Sequence, residues 1–301
     1  KPVAVCGDPA LRHGIVLAKS YEAKAFGVAT GQAIWAAKLR CPGLVVVPPR
    51  YGRYLELSRQ VRELYLQYTD QVEPFGLDES WLDVGGSAGL FGDGRQIADT
   101  LRTRIKREIG LTVSVGVSFN KVFAKLGSDY KKPDATTVIT RENYRQVVWA
   151  LPVGDLLYVG PATAKKLERY GIRTIGALAQ ASPAFLHTVL GKVGVMLWRF
   201  ANGLDRSGVS TYYAMPPVKS VGNSTTAPRD LVSDDDVKIT LYALCESVAA
   251  RLREQRSLCS TVQLGIRDNT LLRYERQEKL AFPVSNSSDL FASAFRLFCA
   301  N

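Results

Sequence analysis

The chain has 301 residues, 46% of them hydrophobic and 22% charged, which are ordinary globular values and supply apolar material for about two domains. No run of about 18 apolar residues occurs, so no membrane-spanning helix is expected, and the first residues do not read as a signal peptide. The net charge of +11 suggests a polyanionic partner, with nucleic acid the commonest choice.

The basic excess is uneven. Residues 1–150 carry 21 basic and 15 acidic side chains, residues 151–217 carry 7 and 3, and residues 218–301 carry 11 and 10. The five cysteines are scattered without a CxxC pair, which argues against a disulfide framework or zinc site and for a reducing, cytoplasmic compartment. With only two histidines, any divalent metal is expected to be held by oxygen.

In chain order, KPVAVC reads as a short strand with no turn before it. LRHGIVLAKSYEAKAFGVATGQAIWAAKL follows as a strand and two short helical patterns. In YLELSRQVRELYLQYT, Leu57, Val61, Leu64 and Tyr68 recur at helical spacing. PFGLDESWLDVGG then reads as a hairpin: QVEPFGL and WLDVGG are the strands and DES the connection. Adjacent strand residues point to opposite faces, but a tight connection lets neighbouring acids project toward one place. Asp78 and Glu79 are therefore either solvated turn residues or hard oxygen ligands for Mg²⁺. Asp83, further along, reads as a structural hydrogen-bond acceptor.

GRQIADTLRTRIKREIG is an amphipathic helix with Ile97, Leu101, Ile105 and Ile109 on one face and Gly110 as its stop. LTVSVGVS alternates Val113, Val115 and Val117 as a strand covered on one face does. From about Leu151 the pattern becomes short helices with glycine turns up to about Gly208, and STYYAMPPVKS reads as a linker. Ser233 to Gln255 is a helix with a capping box, Ser233 and Asp236, and an apolar face of Val237, Leu241, Leu244, Val248 and Leu252. CSTVQLGIR places Val262, Leu264 and Ile266 inward. LLRYERQEKLAF presents Arg273, Glu275, Gln277 and Lys279 on a polar face, and SDLFASAFRLFCAN is a final helix. A closing strand is expected after it, so both ends read as truncated.

GLDESWLDV resembles the palm hairpin of the Y-family DNA polymerases, the translesion class of the UmuC and DinB type. KPVAVC with LAKSYEAKAFGVATG resembles that family's fingers, VSVGVSFNKVFAKLGSDYKKPDA its second palm motif, and VGPATAKKL its helix-hairpin-helix thumb. The resemblance implies an α+β multi-domain fold. Its parts would be fingers at 1–50, a palm with a mixed or antiparallel sheet at 51–150, an all-α thumb at 151–208, a linker at 209–218 and an α+β little finger at 219–301. It implies template-directed addition of dNTPs to a primer 3′ end opposite damaged template, in DNA repair and the SOS response, with two Mg²⁺ ions. Asp78 and Glu79 would be catalytic metal carboxylates. Tyr21, Lys24 and Lys132 would bind the nucleotide. Gly160 and Lys165 in the thumb, and Ser220, Gly222, Ser224, Arg267 and Arg273 in the little finger, would contact primer–template DNA. A sliding clamp stays open as a further partner.

Three departures accompany the resemblance. The family's first metal aspartate lies on a strand that would precede Lys1. Lysine stands at Lys24 where the fingers motif usually has arginine, and Tyr158 replaces the thumb hairpin's earlier glycine. The alternative is a catalytically silent relative or fragment that binds damaged DNA. A generic metal-dependent phosphotransferase would leave the thumb and last domain unexplained.

Overall fold

The computed structural model describes residues 1–214 and 217–300. The linker expected at 209–218 thus lies partly outside the described residues, at 215 and 216. The chain forms two compact units, Lys1–Arg50 with Pro217–Asn301, and Tyr51–Pro216.

The first segment of the first unit is a three-stranded sheet of β1 (Val3–Cys6), β2 (Val16–Lys19) and β3 (Val45–Val47), in the order β2-β1-β3. β1 runs antiparallel to β2 and parallel to β3. Helices α1 (Tyr21–Ala25) and α2 (Ile34–Arg40) pack on it. The core residues are small: Ala4, Cys6, Val16, Ala23, Val28, Ala37 and Cys41, with Leu44. Small side chains let so short a segment close on itself. Ser20 ties α1 to the sheet, its hydroxyl accepting from the N–H of Ala23 (3.3 Å) and of Val3 (3.2 Å).

The second unit opens with α3 (Tyr51–Tyr65), then the hairpin β4 (Val72–Pro74) and β5 (Ser80–Leu82), a short α4 (Ala88–Phe91) and α5 (Gly94–Glu108). The α5 periodicity holds: Ile97, Leu101 and Ile105 are buried, Asp93 and Gln96 form a capping box, and Gly110 takes φ +79° after the end. Next come β6 (Val115–Ser118), α6 (Lys121–Tyr130), β7 (Thr136–Ile139) and α7 (Tyr144–Val148). β6 and β7 are parallel with α6 as their crossover, as a parallel pair requires. Val113 precedes the strand rather than joining it.

The contact of α6 with β6 is backbone on backbone. A Cβ at Gly116 would lie 1.9 Å from the Ala124 carbonyl oxygen and 2.6 Å from the Ser128 nitrogen. Only glycine permits that approach. Beyond α7 follow α8 (Pro161–Glu168), α9 (Ile175–Gln180), α10 (Pro183–Leu190) and α11 (Lys192–Ala201). One core runs from α6 and β7 into these helices, through Phe123, Ile139, Val148, Leu167, Leu178 and Leu197.

The last segment has α12 (Asp234–Glu254), β8 (Cys259–Arg267), β9 (Arg273–Val284) and α13 (Ser287–Cys299). β8 and β9 are antiparallel, with Val262 and Leu264 facing the helices. The buried stripe of α12 is Leu241, Cys245, Ala249 and Leu252, while Val237 and Val248 pack at its margin. The capping box there is half of the one expected. Ser233 does accept from Asp236 N–H, but the Asp236 carboxylate turns to Arg229 (2.5 Å) and the Val232 N–H (3.2 Å) instead of the cap's own N–H. The stretch KSVGNSTTAP, which holds Ser220, Gly222 and Ser224, is irregular. Its polar groups go to α12: the Gly222 carbonyl accepts from Arg251 (2.7 Å) and Asn223 donates to Ser247 (3.1 Å).

Gly116→Ala is expected to lower stability by about 2–3 kcal/mol, because the methyl would meet helix backbone that cannot rotate away. Urea denaturation checks this; a loss no larger than that of an exposed glycine-to-alanine change would contradict the packing argument.

Candidate active site and nucleic-acid interface

The acidic hairpin differs from the sequence expectation. Ser80 is already strand, paired with Pro74, and the connection is Phe75–Glu79, closed by Phe75 N–H donating to the Glu79 carbonyl (2.8 Å). Gly76 supplies the left-handed turn residue at φ +85°. α3 grips this loop. Arg62 donates to the Gly76 carbonyl (2.7 Å) and the Ser58 hydroxyl donates to the Leu77 carbonyl. Phe75 packs against Trp81 with ring centroids 4.6 Å apart. The Trp81 indole N–H donates to the Lys121 carbonyl at the start of α6 (2.9 Å).

Two ion-pair systems flank the loop, both drawing on α6. In one, Lys121 meets Glu73 at 2.6 Å and lies 4.7 Å from the centre of the Trp81 ring, while Glu73 also accepts from the Ser210 N–H (2.8 Å). Burial pushes the Glu73 carboxyl upward, but Lys121 and the Ser210 N–H outweigh it and hold it below the usual carboxylate value. In the other, Lys125 sits 3.0 Å from Glu79 Oε1 and 2.6 Å from Asp129 Oδ2, and Lys132 sits 2.6 Å from Asp129 Oδ1. Burial opposes the Lys125 charge, yet hydrogen bonds to Asp129 and Glu79 prevail and raise its pKa above an ordinary lysine's. Asp129 moves the opposite way: burial raises it, and the two lysines bring it net below the usual value.

Asp78 is exposed and its side chain has no partner among the described residues. Asp83 is a structural acceptor, its Oδ1 taking the Gly85 N–H at 2.9 Å. No cluster of three or more metal-ligating side chains exists among the described residues. The two carboxylates still fit Mg²⁺, which takes one or two protein carboxylates and completes its shell with water and phosphate oxygens.

In the first unit, Tyr21 and Lys24 lie one turn apart on α1, both exposed, Tyr21 at 53%. Gly160 is the N-cap of α8, with open space where a Cβ would go. Tyr158 takes φ +69°, the left-handed conformation that glycine adopts freely. Lys166 donates to the Val189 carbonyl (2.7 Å) and so braces α10, leaving its neighbour Lys165 exposed and without a partner among the described residues. In the last segment, Arg267 and Arg273 are directly paired across β8 and β9, and Arg273 meets Glu275. Ser220, Gly222 and Ser224 are exposed.

Family models match nearly the whole chain. The impB/mucB/samB family matches residues 1–129, its C-terminal domain residues 218–301, and the DNA polymerase-iota thumb domain residues 154–205. DNA polymerase IV of Acetivibrio thermocellus is 54% identical over 298 residues, which cover 99% of this chain and 75% of that protein. The chain belongs to the Y-family of DNA polymerases, the DinB and UmuC type. DNA polymerase IV 2 of Bacillus subtilis is 38% identical, over 99% of this chain and 74% of that protein. A solved "Y-family DNA polymerase chimera" of Dbh and Dpo4 shares the fold with a TM-score of 0.87 at 21% identity, covering 100% of this chain and 87% of its own.

Within this Y-family chain, the structure brings Glu79 and Lys132 together, linked by residues that the sequence does not single out. Lys125 and Asp129 stand four apart on α6, a spacing that announces an ion pair but not its partner across the sheet. Ser58 and Arg62 carry no signal of their own, since only the fold brings α3 under the loop.

Glu73→Gln is expected to cost about 1–2 kcal/mol at pH 7, where the carboxylate is fully charged. The folded carboxyl titrates below its unfolded value, so its contribution is present above about pH 4.5 and lost as pH falls through the folded pKa. The gap between variant and wild type should therefore close as pH is lowered through that folded pKa in parallel urea titrations; a gap constant with pH would remove the ion-pair account.

Proposed function

We propose that this chain is the polymerising part of a translesion DNA polymerase, adding dNTPs to a primer 3′ end opposite damaged template in DNA repair. The observation that carries this reading is the anchored loop presenting Asp78 and Glu79, joined through Lys125 and Asp129 to Lys132, in a chain of the Y-family. Asp78 and Glu79 would hold the divalent metal. Two Mg²⁺ ions, when bound, would supply charge neutralisation at the attacking 3′ oxygen and the leaving pyrophosphate.

The chain's own residues do the remainder. Lys132 offers a compact ammonium to the triphosphate; it would exchange Asp129 for phosphate oxygen. Tyr21 and Lys24, exposed on one face of α1, would bind nucleotide in the fingers segment. Lys24 gives a point charge rather than the bidentate fork an arginine would offer.

The duplex would be held by phosphate contacts. The free N–H groups at the start of α8 suit a phosphate, and Gly160 leaves room for close approach. Lys165 adds charge there. Arg267 and Arg273, with the exposed backbone around Ser220, Gly222 and Ser224, would make the little-finger contacts. An SOS-linked role in the cytoplasm and a sliding clamp as further partner belong to the same reading.

Primer extension with Mg²⁺ by the full-length protein tests it. Asp78→Ala is expected to abolish synthesis and leave DNA affinity nearly unchanged; wild-type rates would refute the metal assignment. DNA binding without any extension by the wild type would instead identify a silent DNA-binding relative. Gly160→Ala fits the free protein, because open space surrounds that position and its φ is −75°. It is expected to keep the fold and weaken DNA binding equally across sequences; a sequence-selective loss would count against phosphate contact there.

A further inference from the structure

Asp78 and Glu79 are neighbours in sequence but not in environment. Asp78 is exposed and has no side-chain partner among the described residues, whereas Glu79 is half-buried and tethered. Its tether, Lys125, has a side chain only 18% exposed. The ammonium lies 3.0 Å from Glu79 and 2.6 Å from Asp129, so it is fixed from two sides. The helix that carries it cannot slide, because α6 rests on the backbone of Gly116 one residue from Lys125. Ser128 adds a brace, its hydroxyl donating to the Lys125 carbonyl at 2.7 Å.

A cation beside a metal carboxylate is costly on electrostatic grounds. It competes with the metal for the same negative charge and should weaken metal binding. Its placement needs a different benefit. The ion pair is made at Oε1, 3.0 Å from the ammonium, and a carboxylate has a second oxygen to offer. Holding one oxygen fixes the rotamer of a side chain on a loop whose backbone α3 already immobilises. We infer that Lys125 is a positioning residue that aims the Glu79 carboxylate at the reacting centre, oriented in turn by Asp129. This rests on the polymerase reading above, and it divides the acidic pair into one free ligand, Asp78, and one pre-aimed ligand, Glu79.

The test uses full-length protein and compares Lys125→Met, which keeps the alkyl stem, with Lys125→Arg, which keeps the charge. At saturating Mg²⁺ and dNTP, Lys125→Met is expected to lose at least about tenfold in kcat, the scale of a misplaced reacting group. Its primer–template affinity should stay within about twofold, since phosphate contacts elsewhere set it. Mn²⁺ affinity, read by electron paramagnetic resonance without DNA or nucleotide, should be unchanged or tighter, because a competing cation is gone. Lys125→Arg should recover most of the lost kcat. A wild-type kcat in Lys125→Met overturns the inference. So does a loss that extra Mg²⁺ restores, which would make Lys125 a matter of charge balance. Asp129→Asn, which keeps shape and loosens the grip on Lys125, should lower kcat in the same direction by a smaller factor; an unchanged kcat there also overturns it, even if the methionine variant fails to fold. Silence of the wild-type protein would remove the polymerase reading and this inference with it, whereas failure confined to these variants removes the inference alone.

Discussion

The seating of α6 on β6 is the contact on which the second unit depends. With no side chain at Gly116, the helix backbone comes down onto the strand, and Gly127 on the helix meets Gly116 in return. The charged and aromatic groups nearby are then referenced to that helix. Its first carbonyl receives the Trp81 indole, which fixes β5. Its Lys121 and Lys125 reach the acids on either side of the loop. Its Phe123 enters the core shared with α8 to α11. A helix held by ordinary side-chain packing could shift by fractions of an ångström; one held backbone to backbone against a parallel strand pair cannot shift without breaking the ladder.

Much of this is legible in the sequence, and the reasons are physical. Helices α5 and α12 announce themselves because burial on one side forces a period near 3.6. The β8–β9 pair is legible because one face is buried and one is wet, so polar and apolar residues alternate. Asp78 and Glu79 stand out as charges where a strand should run. The connection between β4 and β5 is not legible, because hairpin register depends on hydrogen bonds that residue types do not declare. Ser80 is as good a turn residue as a strand residue, and only the pairing with Pro74 decides. KSVGNSTTAP is ambiguous for a related reason: small polar residues suit a strand's wet face and an irregular segment equally well, and the partners on α12 settle the matter. Lys125 is invisible as a partner of Glu79, because the two are far apart in sequence and meet only after β6 and α6 are stacked.

Tyr158 shows sequence and geometry agreeing by an unusual route. The family resemblance places glycine there, and the backbone takes the φ of +69° that such a glycine would adopt. The turn is therefore specified by its surroundings strongly enough to impose a left-handed conformation on a tyrosine, at a cost of roughly 1 kcal/mol or more. The ring recovers part of that against Phe200, at a centroid distance of 6.2 Å. For the proposed phosphate contact the path of the backbone N–H groups would matter, and the φ at Tyr158 is one that glycine adopts freely.

The basic side chains separate into two groups by what they touch. Lys121, Lys125, Lys132 and Lys166 each have a partner within the fold, so their charge is already engaged. Lys165 has none among the described residues. Arg267 and Arg273 are a stronger case, because like charges directly opposite across an antiparallel pair destabilise the sheet. The nearby carboxylate that offsets this is Glu275, and it pairs with Arg273 rather than Arg267. Folding alone gives no reason to put two guanidinium groups at the end of a two-stranded ribbon. A polyanion lying across that end, as proposed above, would, since each phosphate it brought would convert the repulsion into attraction. The near-neutral balance of residues 218–301 is a poor fit to a strong electrostatic grip, so any such contact would rest on where these few charges stand.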